Sequence, residues 1–314
     1  MSQQSAAHYL RHGQTPFFRL PLVDCADVDS AYAGADAVLL GVPYDGGTTY
    51  QPGARLGPYH VRRVSALVQS YHPVHRVDVF ERVRARDGGN VVFPPFDAAT
   101  VRAAVQAEVA RVIAAGAVPF VVGGDHSVAL PSLRAVAAAY GPVAVIHVDA
   151  HYDTSSGAVW GDEWHHGTPL RHAIEEQLIA PGALVQVGVR GPWGAHDDGD
   201  LAAEFGATTI SADGVAARGI AAVLGDVRRV IGDRAVYLTF DIDAVDPAFA
   251  PGTGTPVPGG LSAREALQLV RGLWGTRLVG MDLVEVAPPL DVSDLTSHLA
   301  AHLLYEGLAL VAHR

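Results

Sequence analysis

At 314 residues, with 49% hydrophobic and 18% charged side chains, the chain can bury a large core, which excludes a disordered protein. Its formal net charge of −11, with all 22 basic residues arginine, excludes nucleic acid as a main partner, because that role calls for a basic patch. Cys25 is the sole cysteine, the N-terminus has no apolar signal segment, and no run nears the ~18 apolar residues that span a bilayer. A reducing, cytoplasmic location with no membrane partner is expected.

Residues 1–35 are polar and turn-rich and are expected to wrap the surface. Residues 37–42 (AVLLGV) read as the first strand and run into PYDGGTTYQPGARLGP (43–58), a loop long enough to imply a function. A helix over about 58–69 follows, with Pro58 suited to its first turn. Weaker strand material lies at 74–80 and 90–93. Asp97 caps an amphipathic helix to Ala115 whose stripe is Val101, Val105, Val109 and Val112. A strand at 118–122 ends in GGDHS (123–127), and a helix follows to about 139.

Next comes VAVIHVDAHYD (143–153), an apolar β-branched strand that ends in Asp149, His151 and Asp153. An extended backbone through 153 would point these three the same way. A helix at 168–178, a strand at 183–189, a helix at 198–205, a strand at 208–210 and a helix at 216–231 continue the pattern. A strand at 235–240 opens into DIDAVDPAFAPGTGTPVPGGLS (241–262). Ser262 caps a helix to about 274, 277–283 is the last strand, and 293–312 is a closing helix. Strands alternating with helices predict an α/β fold with a parallel sheet covered on both faces, and no linker or composition shift divides it, so a single domain over 1–314 is expected.

In such sheets ligands bind beyond the carboxyl ends of the strands. GGDHS, DAHYD and DID each follow an apolar strand and should meet there. They bring together His126, Asp149, His151, Asp153, Asp241 and Asp243, too many ligands for one cation and suited to two cations ~3.5–4 Å apart. Hard oxygen donors without thiolate favour Mn²⁺. Two such cations acidify a water between them enough to attack an electrophilic carbon or phosphorus near neutral pH. A phosphoesterase is disfavoured because no cationic clamp for phosphate accompanies the motifs.

From GVPYDGGTTYQPGARLGP to GMDLVEVAPPLD the chain resembles the ureohydrolase (arginase/agmatinase) family, in the agmatinase-like branch that includes guanidinobutyrase and proclavaminate amidinohydrolase. The motifs GGDHS, DAHYD and FDIDAVDPAFAPGTGTP are highly specific together. The resemblance implies a three-layer α/β/α arginase-like fold with a mainly parallel central sheet, two Mn²⁺ per subunit, hydrolysis of a guanidinium to urea and an amine, and a homo-trimer or hexamer. One ion would take His126, Asp149, Asp153 and Asp241, and the other Asp149, His151, Asp241 and Asp243. The family's proton-shuttling histidine falls on His166, with His165 beside it as the competitor. Its guanidinium-binding carboxylate falls on Glu285. His166, Glu285 and Asp153 are therefore the candidate catalytic residues, and Asp125 is expected to support the ligands from behind. Tyr152 stands where the family has a smaller residue and should point away from the metals. Gln51 stands where the family often has Arg.

The loop 154–166, TSSGAVWGDEWHH, is acidic and aromatic, so Asp162 and Glu163 are expected to read a cationic substrate tail. Agmatine, converted to putrescine in polyamine biosynthesis, is the favoured substrate. The alternative is a guanidino acid, such as 4-guanidinobutyrate, 3-guanidinopropionate or proclavaminate's precursor, if Arg190 or Arg55 reaches the pocket to bind its carboxylate. A non-catalytic subunit of a mixed oligomer is disfavoured because every ligand position is filled.

Overall fold

The computed structural model describes residues 15–23, 31–193 and 197–313. Cys25 and most of the N-terminal segment lie outside the described residues. Where that segment is described it is anchored: Phe17 and Phe18 are fully buried, and the Phe17 N–H donates to Asp87 at 2.8 Å.

Among the described residues the strands are β1 (Ala37–Gly41), β2 (Tyr71–His72), β3 (Val77–Asp78), β4 (Ala85–Asn90), β5 (Val118–Val122), β6 (Val143–Val148), β7 (Ile179–Val187), β8 (Thr208–Ile210), β9 (Ala235–Asp241) and β10 (Arg277–Val284). Eight of them form one sheet in the order β4-β1-β5-β10-β9-β6-β7-β8, and every neighbouring pair is parallel. β2 and β3 make a separate antiparallel hairpin. Strands such as VPFVV and VAVIHV are buried along their whole length because helices cover both faces. The helices Ala98–Ala114, Ala129–Tyr140 and Pro169–Glu175 pack on one face. Gly57–Ser65, Ile220–Ile231, Ala263–Arg271 and Leu295–Val311 pack on the other. This is the three-layer arrangement that the alternation predicts.

Three elements differ from expectation. The edge strand is β4, ARDGGN, and not 90–93. Its polar, glycine-bearing sequence hides it from periodicity, and it holds its place through Asp87, which pairs with Arg62 at 2.9 Å. The strand material expected at 74–80 is only the short β3, followed by a helical turn at Val79–Arg82 that Asp78 caps. The helix expected over 216–231 is two helices, Ala212–Arg218 and Ile220–Ile231, broken at Gly219, whose φ of 74° is a glycine conformation.

The four central strands β5, β10, β9 and β6 are neighbours, and their carboxyl ends run straight into GGDHS, Glu285, DID and DAHYD respectively. Adjacent strands thus deliver all four clusters to one place.

Candidate active site

GGDHS is shaped by close packing. A Cβ on Gly124 would stand 1.5 Å from the Tyr44 carbonyl oxygen, so only glycine lets the turn pass, and it leaves His126 in a short 3₁₀ turn pointing across the strand ends. The turn is capped by Asp125, whose carboxylate accepts from the Ser127 N–H at 3.0 Å.

β6 ends at Val148 and the backbone bends at 150–151, so Asp149, His151 and Asp153 converge by a turn and not by strand alternation. Asp153 reaches its position with φ of 55°, a left-handed conformation costly for a non-glycine residue. Likewise β9 ends at Asp241, and a 3₁₀ turn at Ile242–Ala244 brings Asp243 round, with the Asp243 N–H donating to Asp241 Oδ1 at 2.8 Å. The Ala150 N–H donates to Asp243 Oδ1 at 3.1 Å and ties the two turns together.

Three carboxylate oxygens crowd one ring nitrogen. His126 Nδ1 lies 2.8 Å from Asp153 Oδ2, 3.0 Å from Asp149 Oδ2 and 3.3 Å from Asp241 Oδ2, yet it makes no properly directed hydrogen bond. His151 Nδ1 lies 3.0 Å from Asp243 Oδ2 and 3.4 Å from Asp149 Oδ1. Burial and the neighbouring Asp243 and Asp149 carboxylates push Asp241 well above the usual carboxylate range. Burial and Asp149 raise Asp243 as well. Burial opposes a proton on His126 and His151, but the surrounding carboxylates raise both imidazoles well above their ordinary value. Converging, undirected donors with surplus negative charge are what a pair of divalent cations requires, so the residues fit such a centre.

Sequence reasoning missed the layer behind these groups. His147 Nε2 lies 2.8 Å from Asp149 Oδ2, and its Nδ1 meets Gln186 at 3.1 Å. Burial would raise Asp149, but His147, hydrogen-bonded to it, and the close imidazoles of His126 and His151 hold it well below the usual range. The spacing of two from His147 to Asp149 was the available signal. His126 Nε2 meets Thr239 Oγ1 at 2.7 Å, and that hydroxyl donates to Asp282 at 2.6 Å, as does the Tyr237 hydroxyl. This chain orients the imidazole.

Glu285 has φ of 62° and is buried; its Oε1 accepts from the His126 N–H at 2.8 Å and lies 2.8 Å from His166 Nδ1. Burial would lower His166, but the Glu285 carboxylate raises it to about 9. His165 does not share this contact: its Nδ1 accepts from the Gly167 N–H, and burial lowers its pKa. Burial, then Glu285, pushes Asp125 up to about 6. Asp125 also accepts from the Gly47 N–H at 2.7 Å and so joins the 43–58 loop to GGDHS.

A cavity of about 200 Å³ opens over the cluster, and His126, His151, Asp153, Asp241 and His166 line its floor. Glu285 is buried beside His166, hydrogen-bonded to it, and is not among the lining residues. The walls include Tyr152, Trp160, Trp193 and Asp198, with Thr49 and Thr255. Three expectations change here. Asp162 and Glu163 are exposed and do not line the cavity. Asp162 instead accepts from the Trp164 N–H at 2.9 Å, and the Glu163 carbonyl accepts from Thr168 and His172. Their loop turns outward because Trp164 is packed between Arg102 and His172. Tyr152 does not point away: the bend at 150–151 turns it into the cavity wall, edge-to-face with Trp193 at 5.1 Å. Arg190 does line the cavity, but all three guanidinium nitrogens donate to backbone carbonyls of Gly188, Asp243, Ala244 and Val257. Arg55 is turned onto Asp45 and is not among the lining residues.

The family model described as the Arginase family matches residues 35–309. The chain is 43% identical to guanidinopropionase of Pseudomonas aeruginosa over 300 residues, covering 96% of this chain and 92% of that protein. It is also 43% identical to agmatinase of Edwardsiella ictaluri over 298 residues, covering 94% and 93%. It overlays the solved structure of proclavaminate amidinohydrolase from Streptomyces clavuligerus with a TM-score of 0.89 at 41% identity, covering 96% and 97% of the two chains. With the motif loops gathered on one parallel sheet and this extent of likeness, the chain belongs to the arginase family, as a guanidino hydrolase of its binuclear, metal-dependent kind.

Proposed function

We propose that this chain hydrolyses agmatine to urea and putrescine with two Mn²⁺ bound. One ion would be held by His126, Asp149, Asp153 and Asp241, and the other by Asp149, His151, Asp241 and Asp243. The crowding of three carboxylate oxygens on His126 Nδ1, which like Asp153 Oδ2 makes no hydrogen bond, supports this set, and its oxygen-rich chemistry supports Mn²⁺. When bound, the ions supply Lewis acidity and an acidified water.

The chain's own residues do the rest. A guanidinium stays protonated, so it is bound by a carboxylate and not activated by losing a proton. Glu285 takes this role, the substrate replacing His166 as its partner and pairing through two N–H groups. Before the substrate takes Glu285, that carboxylate raises His166 to about 9, so the ring is already protonated at neutral pH, and it then hands that proton to the departing amine.

The observation that carries the choice of agmatine is Arg190. Its donors are spent on carbonyls, so among the described residues it offers no clamp for a carboxylate tail. Tyr152, Trp160 and Trp193 instead present aromatic faces, and Asp198 a negative charge, to an ammonium tail. The likeness to guanidinopropionase favours the second reading, a guanidino acid. Urea release by Mn²⁺-loaded protein from agmatine, 4-guanidinobutyrate, 3-guanidinopropionate, arginine and guanidine separates the two. Turnover of a guanidino acid with none of agmatine ends the first reading, and full metal content with no turnover of any guanidine ends both.

We further propose a cytoplasmic trimer or hexamer. Exposed Tyr50, Tyr59, Val92 and Phe96 provide apolar surface for contacts between copies. Sedimentation at micromolar concentration gives the number, and a monomeric mass rejects this part.

A further inference from the structure

The imidazole of His166 is held at both ends. Nδ1 faces Glu285, and Nε2 lies 2.7 Å from Thr49 Oγ1 and accepts from the Thr49 backbone N–H at 3.2 Å. Thr49 belongs to the long 43–58 loop, to which the sequence assigns no chemistry. That loop is not a free tip. The His166 N–H donates to the Gly47 carbonyl at 3.0 Å, the Gly47 N–H donates to Asp125, and Asp45 accepts from the N–H groups of Gly53 and Arg55 at 2.8 and 3.2 Å. Four separate bonds thus set where the Thr49 hydroxyl stands.

We propose that Thr49 is the positioning residue for the proton donor: its hydroxyl keeps the His166 ring aimed at the departing amine once the substrate's guanidinium has taken Glu285. The inference rests on the roles given above to His166 and Glu285 and adds the group that makes them compatible. When Glu285 pairs with the guanidinium, Nδ1 loses its partner, and an imidazole held at neither end would turn freely about its side-chain bonds. The Nε2 contact is what remains. A hydroxyl can donate to the neutral ring and accept from the protonated one, whereas the backbone N–H can only donate. Only the side chain of Thr49 therefore serves His166 in both protonation states. In the transfer, the Nδ1–H bond breaks and an N–H bond forms on the amine nitrogen as its bond to carbon breaks. The electron pair of that C–N bond takes the proton and the ring is left neutral.

Thr49 is half-buried and valine has its shape, so Thr49→Val removes the hydroxyl and keeps both the fold and the backbone N–H. Thr49→Val, Thr49→Ser and His166→Asn are compared by steady-state urea release, with melting curves for folding. We expect Thr49→Val to lower kcat about tenfold or more with KM within about twofold, and Thr49→Ser to restore most of the loss, since a positioned proton donor contributes about 10²–10⁴-fold. The ¹⁵N-histidine spectrum of the metal-free protein should show the Nε2 signal of His166 shift in Thr49→Val and not in Thr49→Ser. Wild-type kcat in Thr49→Val, alongside a collapsed His166→Asn, overturns the role of Thr49 alone. Full activity in His166→Asn overturns the underlying reading of His166, and this inference with it. If Thr49→Val fails to fold, equal loss in a folded Thr49→Ser rejects the hydroxyl's role.

Discussion

A carboxylate buried among other carboxylates is held above the ordinary carboxylate range, and Asp241, beside Asp243 and Asp149, is the clearest case. Asp241→Asn should remove the proposed bridging ligand while preserving shape. Elemental analysis is expected to show less than half the wild-type metal per chain, with urea release falling by more than about 10²-fold. Reversing the exposed charges, Asp162→Arg with Glu163→Arg, should leave kcat/KM for agmatine within about twofold, because exposed charges at this distance are screened. Trp193→Ala should raise KM about tenfold, the scale of a cation–aromatic contact of about 1–2 kcal/mol. Both are read from initial rates. The gathering of His126, Asp149, His151, Asp153, Asp241 and Asp243, with His166 and Glu285 beside them, was legible in the sequence because motif spacing encodes it. The places of Asp162, Tyr152 and Arg190 were not, because each depends on which way a loop turns. Thr239 and Asp282 were hidden for a different reason: a buried hydroxyl and carboxylate inside apolar strands leave no local pattern.

Loops here are aimed by their anchors more than by their own sequences. Arg190 reaches from the end of β7 to the carbonyls of Asp243, Ala244 and Val257, and so clips the 257–258 segment to the Ile242–Ala244 turn. Arg190→Leu leaves those carbonyls without donors and should cost about 1–3 kcal/mol, measured by chemical denaturation. Ser262 and Glu265 form a reciprocal cap at the helix that begins at Ala263. Ser262→Ala should cost about 1 kcal/mol with unchanged KM. That cap was legible, as were β5, β6 and the valine stripe of 98–114, since each is a strong local signal. The edge strand β4 was not, because its pairing to β1 and the Asp87–Arg62 contact outweigh a poor strand sequence. The bends after Val148 and Asp241 also escaped, because side-chain carboxylates hold them: Asp243 from the neighbouring strand end holds the first, and Asp241 of the same strand holds the second.

Across the whole molecule the cation pair and the fold should be linked. Metal binds the assembled cluster and not the unfolded chain, so stability should rise with free metal, by about 1.4 kcal/mol per tenfold excess over Kd. Removing metal with a chelator should therefore lower the melting temperature, and adding Mn²⁺ back should restore it. A melting temperature indifferent to metal would place the ligands elsewhere. The α/β class and the parallel sheet were readable from alternation alone, whereas strand order was not, because parallel neighbours need not be close in sequence.

That order has a consequence for how the protein comes into being. β10, the last strand to be made, sits in the middle of the sheet, between β5 and β9. Everything before it forms two half-sheets, β4-β1-β5 with GGDHS on one side and β9-β6-β7-β8 with DAHYD and DID on the other. Phe120 meets Met281 across the seam, 161 positions later in the chain. A nascent chain on the ribosome therefore holds GGDHS apart from DAHYD and DID until residues Arg277–Val284 emerge. The keystone strand also delivers Glu285, so the carboxylate proposed to bind the guanidinium arrives in the same event as sheet closure.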